Sequence, residues 1–142
     1  MSNFGFTSGK KKTAPTKKWT EREIESKIAE FDTKIEEIKE REGDVEVRDA
    51  ILTKAEWLKN EARDFPHAER IFRQAYDMSG GASRKMEILF EIILMNIEKY
   101  DLDALKKDIA TCKTLVDEGA DWDKKNKLKI FEAVYCMLIR EF

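Results

Sequence analysis

Apolar residues recur along this chain at intervals of three and four, the spacing that lines one face of an α-helix, and caps or turn residues separate the stripes. Thr20-Glu21-Arg22-Glu23 is a capping box: the Thr20 hydroxyl and the Glu23 carboxylate each accept a backbone N–H from the other's residue and start a helix. Ile24, Ile28, Phe31, Ile35 and Ile38 follow as a narrow seam, which closes near Glu42 at Gly43. A seam this short favours docking on the next helix over a homodimeric coiled coil.

From Asp44 to about Ala62 a second stripe runs through Val47, Ile51, Ala55, Leu58 and Ala62, with Trp57 as a flanking anchor. Arg63-Asp64-Phe65-Pro66 interrupts it, and Pro66 is tolerated only in the opening turn of the third helix, where its missing N–H has no partner to lose. That helix carries Ala68, Ile71, Phe72 and Ala75 to about Met78, and Ser79-Gly80-Gly81 stops it. A fourth, from Ala82 or Ser83 to about Lys99, is apolar on more than one side through Met86, Leu89, Phe90, Ile93, Leu94 and Ile97. It is the central helix. After Tyr100-Asp101-Leu102-Asp103, Leu105, Ile109, Cys112 and Val116 mark a fifth helix ending near Gly119. Asp121 or Asp123 caps a sixth, whose face is Leu128, Phe131, Val134, Tyr135 and Leu138.

The turns Arg63-Asp64-Phe65, Tyr100-Asp101-Leu102 and Arg140-Glu141-Phe142 are spaced by 37 and then 40 residues. Ala68, Phe72 and Ala75 give the small, large, small spacing that lets two helices of a tetratricopeptide-like hairpin approach closely. Strict tetratricopeptides repeat at about 34 residues, so the pattern predicts a degenerate all-α array: a tetratricopeptide-like helical-repeat solenoid, a right-handed stack of antiparallel helix pairs. Residues 1–18 form a basic tail expected to be disordered, and residues 19–142 the helical-repeat domain.

Composition adds limits. With 142 residues, 42% hydrophobic and 39% charged, one core suffices without disulfide or metal. A net charge of -2 selects no polyanionic or polycationic partner for the whole molecule. Apolar runs such as Ile92-Ile93-Leu94-Met95 are far short of the ~20 residues of a membrane span, and no apolar leader opens the sequence, so a soluble intracellular protein is expected. Cys112 and Cys136 fall on predicted apolar faces as reduced packing thiols.

His67 is the single histidine, which leaves no His pair for a metal and no second His for proton transfer; it is expected at the surface of a first turn. Gly-rich phosphate loops, Gly-x-Ser-x-Gly and Cys-x-x-Cys are absent, so no catalytic residue, cofactor or metal is expected. Lys10-Lys11-Lys12 and Lys17-Lys18 are a run short enough to be ordinarily solvated. Lys124, Lys125, Lys127 and Lys129 beside Trp122 resemble a nucleic-acid patch in type, since cations meet phosphates and aromatics stack bases. The helical period splits them: Lys124 and Lys127 share one face, Lys125 and Lys129 another, with Asp123 and Glu132 expected to neutralise part of each. Trp122 is expected to anchor neighbouring repeats.

Val47-Arg48-Asp49-Ala50 leading to Lys54-Ala55-Glu56-Trp57-Leu58, then Phe72-Arg73-Gln74-Ala75-Tyr76-Asp77, and above all Glu118-Gly119-Ala120-Asp121-Trp122-Asp123 with Asn126, Leu128-Lys129 and Tyr135-Cys136, carry a resemblance. Over most of its ordered length the chain resembles the N-terminal helical-repeat region of the proteasome non-ATPase regulatory subunit 6 family, lid subunits of the 26S proteasome that carry a PCI domain. The paralogous signalosome subunit shares the repeats but matches the Asp-Trp-Asp segment less well. The resemblance implies a non-catalytic lid subunit, cytoplasmic and nuclear, with other lid subunits as partners in ubiquitin-dependent protein degradation. A nucleic-acid-associated PCI-family adaptor using the Lys-rich segments is the alternative. Three departures accompany it: the PCI domain that follows in the family is absent, so a fragment or shortened subunit is expected; the segment before Trp19 lacks the family's longer helical lead-in; and Arg63 stands where the family tends to have Gly.

The candidate interaction surface is Trp122, Lys125, Lys129, Leu138 and Phe142, because a terminal solenoid unit without a polar cap leaves its apolar face to a partner or to another copy. Light scattering over a concentration series checks this. Phe142→Glu with Leu138→Glu should reduce self-association and leave helicity largely intact, whereas a strictly monomeric wild-type chain would show that the last helix covers its own face.

Overall fold

The computed structural model describes residues 17–140. Over these residues the chain is helical: α1 (Glu21–Arg41), α2 (Asp44–Trp57) continued by a π-helical turn (Leu58–Ala62), α3 (Phe65–Asp77), α4 (Ala82–Lys99), α5 (Leu102–Asp117) and α6 (Trp122–Arg140). They divide into two compact units, one ending at Met78 and one beginning at Ser79. The expected tail, residues 1–18, lies outside the described residues except for Lys17 and Lys18.

In the first unit α1 opens on the expected capping box: the Glu23 N–H donates to Thr20 Oγ1 at 3.2 Å and the Thr20 N–H to Glu23 Oε1 at 3.0 Å. The Thr20 backbone N–H and the nearby Lys17 ammonium hold the Glu23 carboxyl below its ordinary pKa. α1 docks on α2, as its seam requires. Only Ile35 of the seam is buried while Ile24, Ile28, Phe31 and Ile38 are half-covered, which is what a single neighbouring helix achieves. Lys54, buried on α2, donates to Asp32 Oδ1 at 2.7 Å and ties the two helices. Trp57 is the anchor its position suggested. Its ring meets Trp19 edge-on at 5.1 Å and Phe31 at 5.9 Å.

The second helix was expected to run regularly to Ala62, but its last turn is a π-helix, a form that inserts one residue into the ladder. The widened turn carries Glu61, whose carboxylate accepts the Trp19 indole N–H at 3.0 Å. Beyond it α2 packs on α3, with Ala55, Ala68 and Ala75 fully covered and Phe72 at 0% exposure among them in sequence. Small residues bring helices close, and the aromatic fills what remains.

The second unit is centred on α4, where Met86, Leu89, Phe90 and Ile93 are buried as expected and Ile88, Ile92 and Met95 with them. Leu94 corrects the expectation: it is 40% exposed, because α4 leaves one narrow strip uncovered. α5 and α6 both pack on α4 and on each other. The Phe90 and Phe131 rings lie 5.2 Å apart, and Lys113 on α5 reaches Glu132 on α6 at 2.9 Å. Within the α4–α5 pair, Asn96 Nδ2 donates to Asp108 Oδ2 at 3.0 Å, both residues being buried.

Both hairpins turn in the same way. Arg63 (φ 56, ψ 32) ends the first helix of one and Tyr100 (φ 64, ψ 32) the first helix of the other, each in the left-handed region. The following Asp then caps the next helix: Asp64 Oδ1 accepts from the His67 N–H at 3.3 Å, and Asp101 Oδ1 from the Ala104 N–H at 3.1 Å. The Asp64 N–H returns to the Leu58 carbonyl and the Asp101 N–H to the Asn96 carbonyl, both at 3.0 Å, the first loop being one residue longer because of the π turn. A left-handed non-Gly residue costs about 1–2 kcal/mol; at Arg63 the guanidinium lies 4.8 Å over the Phe65 ring and offsets part of that. The third expected turn is corrected at its first residue, since Arg140 is still within α6, and Glu141 and Phe142 lie outside the described residues.

Phe72→Ala should remove about 3–5 kcal/mol of stability, the range for truncating a fully buried aromatic ring. Urea denaturation followed by circular dichroism measures it, and a loss below about 1 kcal/mol would contradict the packing described here.

Candidate interaction surface

α6 begins at Trp122 with Asp121 in the cap position: the Asp121 carbonyl accepts the Lys124 and Lys125 N–H groups at 3.1 and 3.2 Å. The Asp121 N–H donates to Ser83 Oγ on the opening turn of α4 at 2.8 Å, so the start of α6 is tied to the start of α4. Leu128 and Phe131 then point to the core, and Val134, Tyr135 and Leu138 are half-buried on the same side.

The opposite side carries most of the expected surface. Trp122, Lys125 and Lys129 are exposed at spacings of three and four and share one outward face. Trp122, expected as an anchor between repeats, is instead 75% exposed: as the first residue of α6 it projects on the side away from Leu128 and Phe131. Ile130 at 62% and Met137 at 65% exposure extend this face toward the C-terminal end, joined by Ala133 and Cys136. Ile130 was missed by the sequence reading, although the three-four spacing of Ile130, Ala133 and Met137 was a second stripe available to find it. Leu138 belongs with the inward residues, and Phe142 is outside the described residues. Cys136 is therefore not the packing residue expected, because it lies on the outer face; Cys112 is buried, and both thiols are free. Burial, with the Asp108 carboxylate adding to it, pushes the Cys112 thiol up to about 12 and leaves it unreactive.

The four lysines separate as their period predicts. Lys124 turns inward, pairing with Glu87 on α4 and with Asp123, each at 3.2 Å. Burial works against its charge, but the hydrogen bonds to Glu87 and Asp123 outweigh it and raise its pKa; the same contact lowers that of Asp123. Lys127 lies 5.6 Å over the Phe90 ring. Glu132, expected to offset the α6 lysines, pairs with Lys113 of α5 instead, because α5 rather than the preceding turn of α6 lies beside it. Lys125 and Lys129 alone of the four remain on the outer face. His67 is half-buried, 3.9 Å from the Asp64 carboxylate, and burial with the nearby Arg70 charge lowers its pKa. Among the described residues no group of three or more His, Cys, Asp or Glu could hold a metal ion, and no helix is long and apolar enough to cross a membrane.

Two helical hairpins closed by one turn geometry, with α1 packed on α2 and α6 on both α4 and α5, define the class: over the described residues an all-helical protein of hairpin units, consistent with a helical-repeat array. The family described as 26S proteasome subunit RPN7 matches residues 16–142, and the chain belongs to it. A Dictyostelium discoideum protein named 26S proteasome non-ATPase regulatory subunit 6 is 36% identical over 134 residues, which cover 88% of this chain and 35% of that protein. A protein of the same name from Oryza sativa subsp. japonica is 32% identical over 119 residues, 84% of this chain and 30% of its own length. The 26S proteasome regulatory subunit rpn7 of Schizosaccharomyces pombe is 30% identical over 118 residues, 83% of this chain and 30% of that protein. The chain thus spans about a third of the length of the curated relatives it matches.

Lys124→Met should destabilise the protein by about 1 kcal/mol, between the small worth of an exposed pair and the penalty for breaking a buried one, since the half-buried Glu87 loses its nearer cation and keeps only Arg84 at 3.5 Å. Lys125→Met, on the outer face, should change stability by under about 0.5 kcal/mol. Paired thermal melts read the contrast, and equal effects would contradict it.

Proposed function

We propose that this chain is the N-terminal helical-repeat part of a lid subunit of the 26S proteasome regulatory particle, a non-catalytic scaffold in ubiquitin-dependent protein degradation. The family match over residues 16–142, through all six helices, carries this reading. In it the hairpin units stack as a right-handed tetratricopeptide-like solenoid that ends before a PCI domain. The partners are other lid subunits, and the protein acts in the cytoplasm and nucleus. The outer face of α6 is the contact surface, because Trp122, Ile130 and Met137 place large apolar groups in solvent beside Lys125 and Lys129, the mixture of anchor and charge found in protein interfaces.

Affinity capture from cell extract followed by mass spectrometry tests the assignment. Proteasome lid subunits should be recovered, and Trp122→Ala with Met137→Glu should reduce their recovery severalfold at unchanged helicity. Recovery of signalosome subunits alone, or of ribonucleoproteins through RNA affinity that falls steeply with salt, would replace it.

A further inference from the structure

Between them α1 and α2 leave a groove of about 430 Å³ within the first unit, inside the roughly 300–1,000 Å³ typical of binding clefts. Its floor is apolar: Phe31, Ile35, Ile38 and Ala50 line it, Ile35 buried and the others half-covered. The link Glu42-Gly43 closes one end, and the Lys54–Asp32 bond sets the antiparallel register of the two helices. Glu42 and Glu46 therefore stand at the closed end with Ile38, and Phe31 and Thr53 toward the open end. In the second unit α6 packs on both α4 and α5, whereas α3 packs on α2 without lining this groove. Among the described residues the α1 seam thus keeps one flank uncovered.

Charge decides what covers it. Glu42, Glu46 and Asp49 line the rim against the single cation of Lys34. Asp49 already accepts from Arg48 Nη2 at 3.1 Å, while Glu42 and Glu46 form no ion pair among the described residues. The neighbouring sequence does not dilute this. From Glu36 to Asp49 the chain carries seven carboxylates and three cations, and two of those cations, Lys39 and Arg48, pair within the stretch. A nucleic-acid backbone or an anionic lipid surface would set like charge against this rim, whereas Lys and Arg side chains pair with it. Length decides the shape of the occupant. At ~1.5 Å per residue the floor runs about 10 Å from Phe31 to Ile38 and the rim about 16 Å to Glu42, roughly three turns of a helix. A helix laid along it meets the floor through residues at i, i+3 or i+4, and i+7.

We propose that the α1–α2 groove binds a cationic amphipathic helix of a partner protein, with aliphatic side chains on Phe31, Ile35, Ile38 and Ala50 and Lys or Arg at the end beside Glu42 and Glu46. This is a second contact surface, in the first unit, and it does not depend on the role given to the outer face of α6. Binding weakens as salt rises, because Glu42 and Glu46 are exposed.

The full chain carries the test, with a synthetic helical peptide of about four turns as the probe: leucine along one face, lysine in its last turn, alanine and glutamine elsewhere. Titrated into the isotope-labelled chain, it should shift the amide signals of Ile38, Glu46 and Ala50 and leave those of Leu105 and Ile109 in place. A peptide with glutamate for lysine should bind about tenfold more weakly or worse, and Glu42→Lys with Glu46→Lys should reverse that preference at unchanged helicity. Ala50→Phe, which fills the floor, should weaken both peptides severalfold. Trp122→Ala with Met137→Glu should leave peptide binding unchanged, so failure of the α6 assignment and failure of this one are told apart. Absent shifts, shifts spread evenly over the chain, equal binding of the two peptides, or binding insensitive to the rim reversal would overturn the proposal. So would self-association of the free chain in sedimentation that Glu42→Lys with Glu46→Lys abolishes, since the occupant would then be a second copy.

Discussion

A helix that reverses within two residues must satisfy the last carbonyls of one segment and the first amides of the next in the same short stretch, and both hairpins of this protein depend on that being done. Arg63-Asp64 and Tyr100-Asp101 do it with one device. The left-handed residue turns the chain so that the following N–H reaches back to a carbonyl of the finished helix, at Leu58 in one case and Asn96 in the other. The Asp side chain then accepts an amide of the new helix. Nothing in this geometry calls for a large residue at the turn. It calls for positive φ, which Arg and Tyr adopt here against their steric preference.

Once the turns fix which helices are neighbours, packing follows from side-chain size. Ala55, Ala68 and Ala75 let α2 and α3 approach, and the α4 side chains fill the second unit together with Leu105, Cys112, Leu128 and Phe131. Polar groups inside are tied rather than stranded for the most part: Lys54 to Asp32, Asn96 to Asp108. Such pairs add little net stability but are expensive to break, so they fix how one helix sits on the next. Arg48 Nε and Asn96 Oδ1 are exceptions, buried without a hydrogen-bond partner among protein atoms.

The surface of α6 follows from the same arrangement. Because Leu128 and Phe131 are claimed by the core and Lys124 by Glu87, the residues half a turn away are left in solvent, and these include a tryptophan, an isoleucine and a methionine. The membership of the chain in the 26S proteasome subunit RPN7 family gives this face a context. The first unit presents a different surface, a groove with an apolar floor and an acidic rim. The protein thus offers one face that suits apolar and anionic partners and one that suits cationic ones.

Caps and periodicity belong to short stretches of chain, and the sequence by itself determined what they govern. The capping box at Thr20, Pro66 in the opening turn of α3, the Asp caps and the Gly80-Gly81 break placed every helix to within a residue or two, because each acts on backbone groups only three or four positions away. The family, too, was legible in segments such as Asp121-Trp122-Asp123. Tertiary structure decided what depends on which atoms lie across from a residue. A stripe of apolar positions tells that a helix has an inner side, yet not where coverage stops, so Leu94, Trp122 and Cys136 emerged exposed. Charge partners escaped for the same reason: Glu132 pairs with Lys113 and Lys124 with Glu87, 19 and 37 residues away in sequence, distances that no local rule spans. The π turn at Leu58–Ala62 and the positive φ of Arg63 and Tyr100 were likewise set by how the hairpins close, since neither residue carries a preference for that conformation in its own chemistry.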